Sequence, residues 1–391
     1  MSSGPRILDI VNTDHAALNF LAYRAAWINR NTEFVNDIVC SPGPHLARLD
    51  LENTRVTALD IPRDVSPASL GRLLGRLVGH MRAERYTIVH THNSITGAVG
   101  RIAARLARVP LVIHTTHGFH FHENMSALRR LPWVAAERWL SRFCDLLLCQ
   151  NRQEVEEIRR LGIRPRQGVC HVGNGIDLGQ FRPRARMPES PRPVLLCVAR
   201  LEAVKNHAML FRAFAILRRR HDAILKLVGE GPWREHYERE LAAAGLAEAV
   251  EFLGYRYDVP ELTAGADVAV LSSVKEGIPR ALMQAAAVGV PVVATDVKGT
   301  REVVVNAQTG FLVPLGDAEA LADRLGRLLD DAELRRQMGA RAVKHAREHF
   351  DEEQVVQRLV RVYRNALFAR GLADARQPAH AEALPVEQRS A

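Results

Sequence analysis

Apolar positions along the chain fall into two kinds of run. Short unbroken apolar runs bounded by turn residues read as buried strands, and longer segments with apolar residues three and four apart read as helices. In the first half the pattern predicts strands at 7–12, within 33–40, and at 87–90, 111–115 and 145–149. Between them it predicts helices at 16–29, 70–85, 96–107, 127–143 and 153–161. Strands that alternate with helices in this way predict a parallel, doubly wound sheet.

Residues 181–193 (FRPRARMPESPRP) break both periodicities and read as a linker. A second series follows. Strands are predicted at 194–198, 225–228, 250–253, 267–271 and 291–295, with helices at 207–219, 235–244 and 279–288. In the first of these helices Leu210, Phe211, Phe214 and Leu217 share one face. A last amphipathic helix spans 352–367 through Val355, Val356, Leu359, Tyr363 and Leu367. The expected domains are therefore residues 1–187 and 188–350, a C-terminal helix at 351–371, and a polar tail at 372–391 expected to be disordered. Two such domains facing across a cleft make a natural ligand site.

Composition narrows the class. The chain has 391 residues, enough for two cores, and its 47% hydrophobic and 25% charged fractions are those of an ordinary globular protein. No apolar run reaches the length of a membrane span, and the N-terminus enters a strand without a signal-peptide hydrophobic stretch. The five cysteines (40, 144, 149, 170, 197) show no CxxC spacing and read as buried reduced thiols, so a cytoplasmic location is expected. The net charge of +9 is uneven: residues 1–187 hold 25 Arg, no Lys and 16 acidic residues, while the remainder is neutral. An excess of this kind suits an anionic lipid surface or an anionic acceptor, or reflects free use of Arg in a GC-rich genome. A nucleic-acid partner is not expected.

The chemistry concentrates at Ser272 to Glu302, SSVKEGIPRALMQAAAVGVPVVATDVKGTRE. A buried strand runs into the loop Lys275-Glu276-Gly277-Ile278-Pro279, with Pro279 expected in the first turn of the next helix. Such a junction points free backbone N–H groups out of the sheet, where they can hold a phosphate or a sugar hydroxyl. Arg200 and Lys205 lie on another strand-end loop and can neutralise a diphosphate. Gly229-Glu230-Gly231 follows a third strand and lets backbone approach a ligand, although an isolated GxG also serves any tight turn. Neither half has a GxGxxG after its first strand, which argues against a dinucleotide oxidoreductase. No Asp-x-Asp occurs, which argues against one common metal-holding carboxylate pair.

These motifs resemble the donor site of glycosyltransferase family 4, the retaining, nucleotide-sugar-dependent transferases of the GT-B fold. The fold implied is α/β, with two Rossmann-like doubly wound parallel-sheet domains. In that family a first acid touches the donor sugar and a second acid, eight positions on, holds the ribose. Here these positions are Glu276 and Gln284, so the second departs from the pattern by losing the charge. Arg200 and Lys205 match the family's diphosphate-binding pair, and the resemblance makes Glu276, Arg200, Lys205 and His117 the catalytic set. The donor-binding set is Gly229, Gly231, Tyr255, Gly277, Ile278, Pro279 and Gln284, with Tyr255 beside the nucleobase or simply packed on the surface. The last helix is expected to cross back to the first domain. Asn174-Gly175-Ile176-Asp177 resembles the segment closing that domain, with Asp177 as a turn residue.

In the first domain six histidines follow two strands, at 90, 92, 114, 117, 120 and 122. With no Cys or carboxylate partners in sequence they do not read as a metal site. The resemblance singles out His117 as the residue approaching the donor sugar. The family's Gly-Gly loop is replaced by Thr13-Asp14-His15-Ala16-Ala17, so Asp14, His15 and His92 become the acceptor-side candidates. Residues 61–67 and the two histidine segments resemble bacterial branches that build capsule, exopolysaccharide and lipid-linked oligosaccharide. The helix at 127–143 mixes Trp133, Trp139 and Phe143 with Arg129, Arg130, Arg138 and Arg142, which fits a membrane-interface helix as well as a core helix with a solvated face. Implied substrates are a nucleoside diphosphate sugar and a lipid-linked or saccharide acceptor at the inner face of the membrane, with no cofactor and no metal. Gln284 leaves an inactive donor-binding partner subunit as an alternative, and the shared shape leaves a nucleotide-sugar epimerase.

Overall fold

A computed structural model describes residues 4–62, 66–183 and 192–372. Residues 63–65, most of the linker (184–191) and the tail beyond 372 lie outside the described residues. The chain forms two compact units. The first runs to Gly173 and resumes at Glu353, and the second is Asn174–Glu352.

The first unit holds a parallel sheet of seven strands: β1 Arg6–Ile10, β2 Val35–Cys40, β3 Val56–Ala58, β4 Ile88–His92, β5 Leu111–Thr116, β6 Leu146–Cys149 and β7 Gly168–His171. Their order is β3-β2-β1-β4-β5-β6-β7. The order reverses between β1 and β4, and in open α/β sheets ligands bind beyond the strand C-termini at such a switch point. The inner strands β1, β4, β5 and β6 are buried on both faces because helices cover both. One cover is the last helix, Glu352–Phe368, whose Val356, Leu359, Tyr363 and Leu367 pack with Ile7, Ile88 and Ile113 of the sheet. Arg364 pairs with Glu33 at 2.6 Å and Arg358 donates to the Val172 carbonyl.

The second unit holds six parallel strands: β8 Val194–Val198, β9 Ile224–Val228, β10 Val250–Gly254, β11 Val268–Leu271, β12 Val292–Thr295 and β13 Gly310–Val313. Their order is β10-β9-β8-β11-β12-β13, so the switch point lies between β8 and β11. Helix His207–Leu217 buries Leu210, Phe211, Phe214 and Leu217 together, as its spacing predicts.

Some details differ from the pattern. The helix expected at 16–29 is two helices, Asp14–Phe20 and Ala22–Asn31, meeting at Leu21. Pro279 is the residue before helix Arg280–Val288 rather than inside its first turn, with φ −75° and ψ 105°. β3 and β7 carry too few apolar residues to stand out, and β13, Gly-Phe-Leu-Val, lies outside the predicted strands although three of its four residues are apolar. All five cysteines are buried and unpaired with one another, and burial raises their thiol pKa values.

Candidate active site

In the second unit four loops leave the C-terminal ends of four consecutive strands, β10, β9, β8 and β11. They carry Tyr255, Gly229 and Gly231, Arg200 and Lys205, and Lys275 to Pro279. Residues scattered over some 80 positions are thus gathered at one sheet edge by the strand order alone.

The β8 and β11 loops are joined by an ion pair. Lys205 Nζ lies 2.6 Å from Glu276 Oε1, with the Glu276 side chain 9% exposed. Ser273 Oγ donates to the same oxygen at 2.6 Å. Ser272 Oγ donates to the carbonyls of Lys205 and Asn206, and the Val274 amide donates to the Val204 carbonyl. Asn206 takes the left-handed conformation (φ 54°, ψ 44°) that turns the chain into helix His207–Leu217. Lys275 is half-buried, and that burial pushes its ammonium pKa down.

Backbone closeness explains three glycines. A Cβ on Gly229 would meet the Ala199 carbonyl at 2.1 Å, one on Gly231 the Leu201 carbonyl at 2.3 Å, and one on Gly299 the Gly277 carbonyl at 2.2 Å. The first two press the β9 loop onto the Arg200 loop, and the third presses the β12 loop onto the Glu276 loop. Ile278 and Pro279 are buried beneath the start of helix Arg280–Val288, and Gln284 is half-buried on that helix. Tyr255 is half-buried and meets the ring of Tyr257 edge-on at 5.0 Å.

Arg200 is not drawn into the Lys205–Glu276 pair. Its guanidinium is 68% exposed and pairs with Glu202 at 2.7 Å. Ser272, Ser273 and Gly299 shape the site without having been singled out. The signal for the serines is their place directly after a buried strand.

His117 belongs to the first unit, where it follows β5. Its Nε2 lies 3.1 Å from His92 Nδ1, and His92 Nε2 lies 2.9 Å from Asp9 Oδ1. Asp9 is wholly buried on β1 beside the switch point. Arg24 also binds its Oδ1, and Asn36 donates to Oδ2 at 2.9 Å. Burial opposes ionisation, but Arg24 and the His92 hydrogen bond outweigh it and hold the Asp9 carboxyl well below the usual carboxylate range. Burial pushes the His92 imidazole down, with the Asp9 hydrogen bond opposing. His90 bonds Tyr363 of the last helix and Thr115, each at 2.6 Å.

This cluster corrects two expectations. The histidines do have a carboxylate partner: ligand atoms of Asp9, His90 and His92 lie within 4.8 Å of one another. The place a cation would take there is filled by the Arg24 guanidinium, which binds Asp9 and lies 3.1 Å from His92 Nε2. His92 is 1% exposed and so does not face an acceptor directly. A lone Asp in the apolar strand RILDI was the sequence signal for Asp9. Asp14, also buried, accepts the backbone N–H groups of His15 and His45 at 2.8 and 2.6 Å, which ties helix Asp14–Phe20 to the turn near Gly43. His15 sits at that turn, its ring 5.4 Å from that of His45.

Comparison with known proteins places the family and the fold. Residues 24–175 match the family "Glycosyl transferase 4-like domain", and residues 182–345 match "Glycosyl transferases group 1". The chain is 30% identical, over 77% of its own length and 81% of the relative's, to the UDP-Gal:alpha-D-GlcNAc-diphosphoundecaprenol alpha-1,3-galactosyltransferase of Escherichia coli. It is also 30% identical, over 78% and 77% of the two chains, to the D-inositol 3-phosphate glycosyltransferase of Corynebacterium diphtheriae. Among solved structures it resembles the sucrose-phosphate synthase of Thermosynechococcus elongatus, with TM-score 0.80, 21% identity, and 94% and 100% of the two chains covered. The Anabaena protein HepE, solved with UDP-glucose, gives TM-score 0.77 at 20% identity, with 92% and 99% covered. The two parallel-sheet units and these neighbours define a GT-B fold. The chain belongs to glycosyltransferase family 4.

Proposed function

We propose that this protein is a retaining glycosyltransferase that moves a sugar from a nucleoside diphosphate donor to an acceptor hydroxyl, in the synthesis of a bacterial surface polysaccharide or glycolipid. The observation that carries this reading is the Lys205–Glu276 pair, a cation and an oriented carboxylate placed together at the switch point of the second sheet. Lys205, with Arg200, neutralises charge on the departing diphosphate. The start of helix Arg280–Val288 adds its dipole. Glu276 orients the donor sugar, Gln284 holds the ribose and Tyr255 borders the base. Gly229, Gly231 and Gly277 let backbone close on the donor. The family resemblance makes His117 a further candidate for contact with the donor sugar. The bond from the anomeric carbon to phosphate oxygen breaks, and the electron pair leaves with the diphosphate. The acceptor oxygen bonds the same face of that carbon and gives its proton to the leaving phosphate. Cationic side chains carry the developing charge, so neither a metal nor a cofactor is assigned. The named activity of the Escherichia coli relative supports a UDP-sugar donor and a lipid-linked acceptor.

The test is a thermal-shift screen of nucleotide sugars, followed by incubation of the best donor with extracted lipid acceptors. Acceptor-dependent release of nucleoside diphosphate, with the sugar transferred in its original anomeric configuration, is expected. Tight donor binding without turnover on any acceptor sinks the proposal in favour of an inactive partner subunit. Acceptor-free production of an isomeric sugar favours an epimerase.

A second observation favours contact with an anionic membrane surface at the cytoplasmic face. Among the described residues no helix is long and apolar enough to cross a membrane. Helix Ala127–Leu140, however, exposes Leu128 (86%), Leu131 (63%) and Trp139 (50%). At 100° per residue these fall within an arc of about 80° with Ala135, outside which lie the buried Val134 and Leu140. Arg129 and Arg142 are exposed near it. Sedimentation with phosphatidylglycerol vesicles is expected, with loss of binding in Leu131→Glu; no binding by the unaltered protein refutes it.

A further inference from the structure

A second charged cluster lies at the other edge of the first sheet, where strands β5, β6 and β7 begin. Its centre is Asp145, which directly precedes β6 and is wholly buried. Arg105 Nη2 lies 2.6 Å from Asp145 Oδ1, Arg370 Nη2 donates to the same oxygen, and Arg166 Nε lies 3.8 Å from it. The Val112 amide donates to Oδ2 at 2.8 Å. Arg105 also donates from Nε to the Phe143 carbonyl at 3.2 Å, and Arg370 from Nη1 to the Pro110 carbonyl at 2.5 Å. Segments far apart in sequence thus meet at one point, and all of them belong to the first unit. The cluster shares no residue with the donor loops or with the exposed face of helix Ala127–Leu140.

One buried carboxylate does not call for so many cations. Two guanidiniums and an amide already answer Asp145, so the pairing of buried charge is complete without Arg166. Arg166 stands beyond hydrogen-bond distance of the carboxylate, and its side chain is 59% exposed. Three guanidiniums and one carboxylate leave a formal excess of two positive charges. The surroundings do not cancel it. Segments 104–112, 141–147, 163–168 and 367–372, which meet here, hold six Arg and no acidic residue besides Asp145. Arg370 Nε is a further donor, buried there without a hydrogen-bond partner. A guanidinium offers five N–H groups in a fork that matches phosphoryl oxygens, and it keeps its charge at any working pH. We propose that Arg105, Arg166 and Arg370 form a binding site for a phosphate monoester or inorganic phosphate. Such a group carries about two negative charges at neutral pH and matches the excess, whereas a phosphodiester carries only one. The same chemistry comes from free phosphate or from the headgroup of phosphatidic acid. Leu106, Phe368 and Leu372 are exposed beside Arg105 and Arg370 in the chain and favour the lipid source.

The experiment has two arms, both on the full chain. Isothermal titration calorimetry with inorganic phosphate, against chloride at equal ionic strength, reads the free anion. Sedimentation with phosphatidylcholine vesicles reads the lipid, with phosphatidic acid or phosphatidylglycerol added to equal surface charge. Binding is expected in at least one arm, and vesicles with phosphatidic acid should retain more protein than those with phosphatidylglycerol. Heat from inorganic phosphate assigns the free anion as sufficient, and retention on phosphatidic acid alone assigns the lipid. Arg166→Gln removes one charge-assisted contact and should weaken that binding about tenfold. It leaves Asp145 paired with Arg105 and Arg370, and thermal unfolding checks that it folds. Arg72→Gln removes the same charge from an exposed position on helix Pro67–Glu84 and should leave binding unchanged. Equal weakening by the two variants overturns the site in favour of general charge attraction. So does a protein that gives no heat with phosphate and does not prefer phosphatidic acid. Neither arm needs a donor or turnover, so failure here leaves the transferase reading standing.

Discussion

Replacing Lys205 by Ala separates what the ion pair does for the fold from what it does for the reaction. The variant leaves the Glu276 carboxylate 9% exposed with Ser273 as a remaining donor at 2.6 Å. Removing one partner of a fully buried pair costs about 3–5 kcal/mol. Lys205 is 22% exposed and Ser273 stays, so the cost here is about 2 kcal/mol. For a unit the size of Asn174–Glu352 this lowers the unfolding midpoint by about 4–8 °C. Adding Glu276→Gln removes the uncompensated charge and should return most of that stability. Activity should behave differently. Losing one preorganised group that stabilises developing charge lowers kcat by about 10²–10³. The double variant, stable again, stays inactive because the cation is still missing. Differential scanning fluorimetry reads the first effect, and acceptor-dependent release of nucleoside diphosphate reads the second. If Lys205→Ala keeps kcat within about threefold of the parent, the electrostatic role of about 3 kcal/mol assigned to Lys205 is wrong. If the double variant regains turnover along with stability, the pair is only structural.

Three further outcomes follow from single sites. Gln284→Glu restores a charged acceptor for ribose hydroxyls and should lower the donor KM about fivefold, the difference between a neutral and a charge-assisted hydrogen bond; an unchanged KM removes Gln284 from the donor site. Gly299→Ala places a Cβ 2.2 Å from the Gly277 carbonyl, so the Glu276 loop must shift, at a cost of about 1–3 kcal/mol and with lower turnover; an unaltered melt and rate would show that the loop yields freely. His207 is 1% exposed, and burial, aided by Lys205, pushes its imidazole down to about 4 from 6.5. The unfolded chain then binds a proton that the fold refuses, so this site leaves stability unchanged above pH 6.5 and lowers it as pH falls to about 4. The full loss is about 3 kcal/mol, and His207→Gln should flatten the pH slope measured by urea unfolding; an identical slope counts against it.

The elements legible in the sequence are those whose burial is apolar and local. Strand β8 stands at 194–198 as its run of Val, Leu and Cys predicts, because both faces of the strand are covered. Strand β3 has only Val-Thr-Ala, half-exposed at the sheet edge, and leaves no such trace. Helix Ala332–His349 buries Gly339, Ala342 and Ala346 beside a single Met338, so its buried face is mostly small residues with little hydrophobic signal. Helix Ala318–Asp330 is a different case: Leu321, Leu325 and Leu328 have helical spacing and mark it plainly, although it falls outside the predicted elements.

The site was legible to a different depth in each unit, and the cause is the kind of information each part needs. In the second unit the chemistry sits in loops directly after buried strands, so local sequence marks each loop. What sequence spacing does not supply is that Lys205 meets Glu276, 71 residues away; that needs β8 and β11 to be neighbours. Parallel order is set by long-range packing, and the switch point then brings the loops together without any signal in either. In the first unit the decisive side chains are inside strands rather than after them. Asp9 and His92 face each other because β1 pairs with β4, and each looks in isolation like a polar interruption of an apolar run. A wholly buried Asp is costly unless its charge is answered, so its place in RILDI already required a cation or donors from elsewhere in the chain. Arg24, Asn36 and His92 supply them from two helix-and-strand segments and a neighbouring strand. The rule that buried charge must be paired therefore points to the histidine chain from a single residue, where the family resemblance points only to its half-buried end at His117.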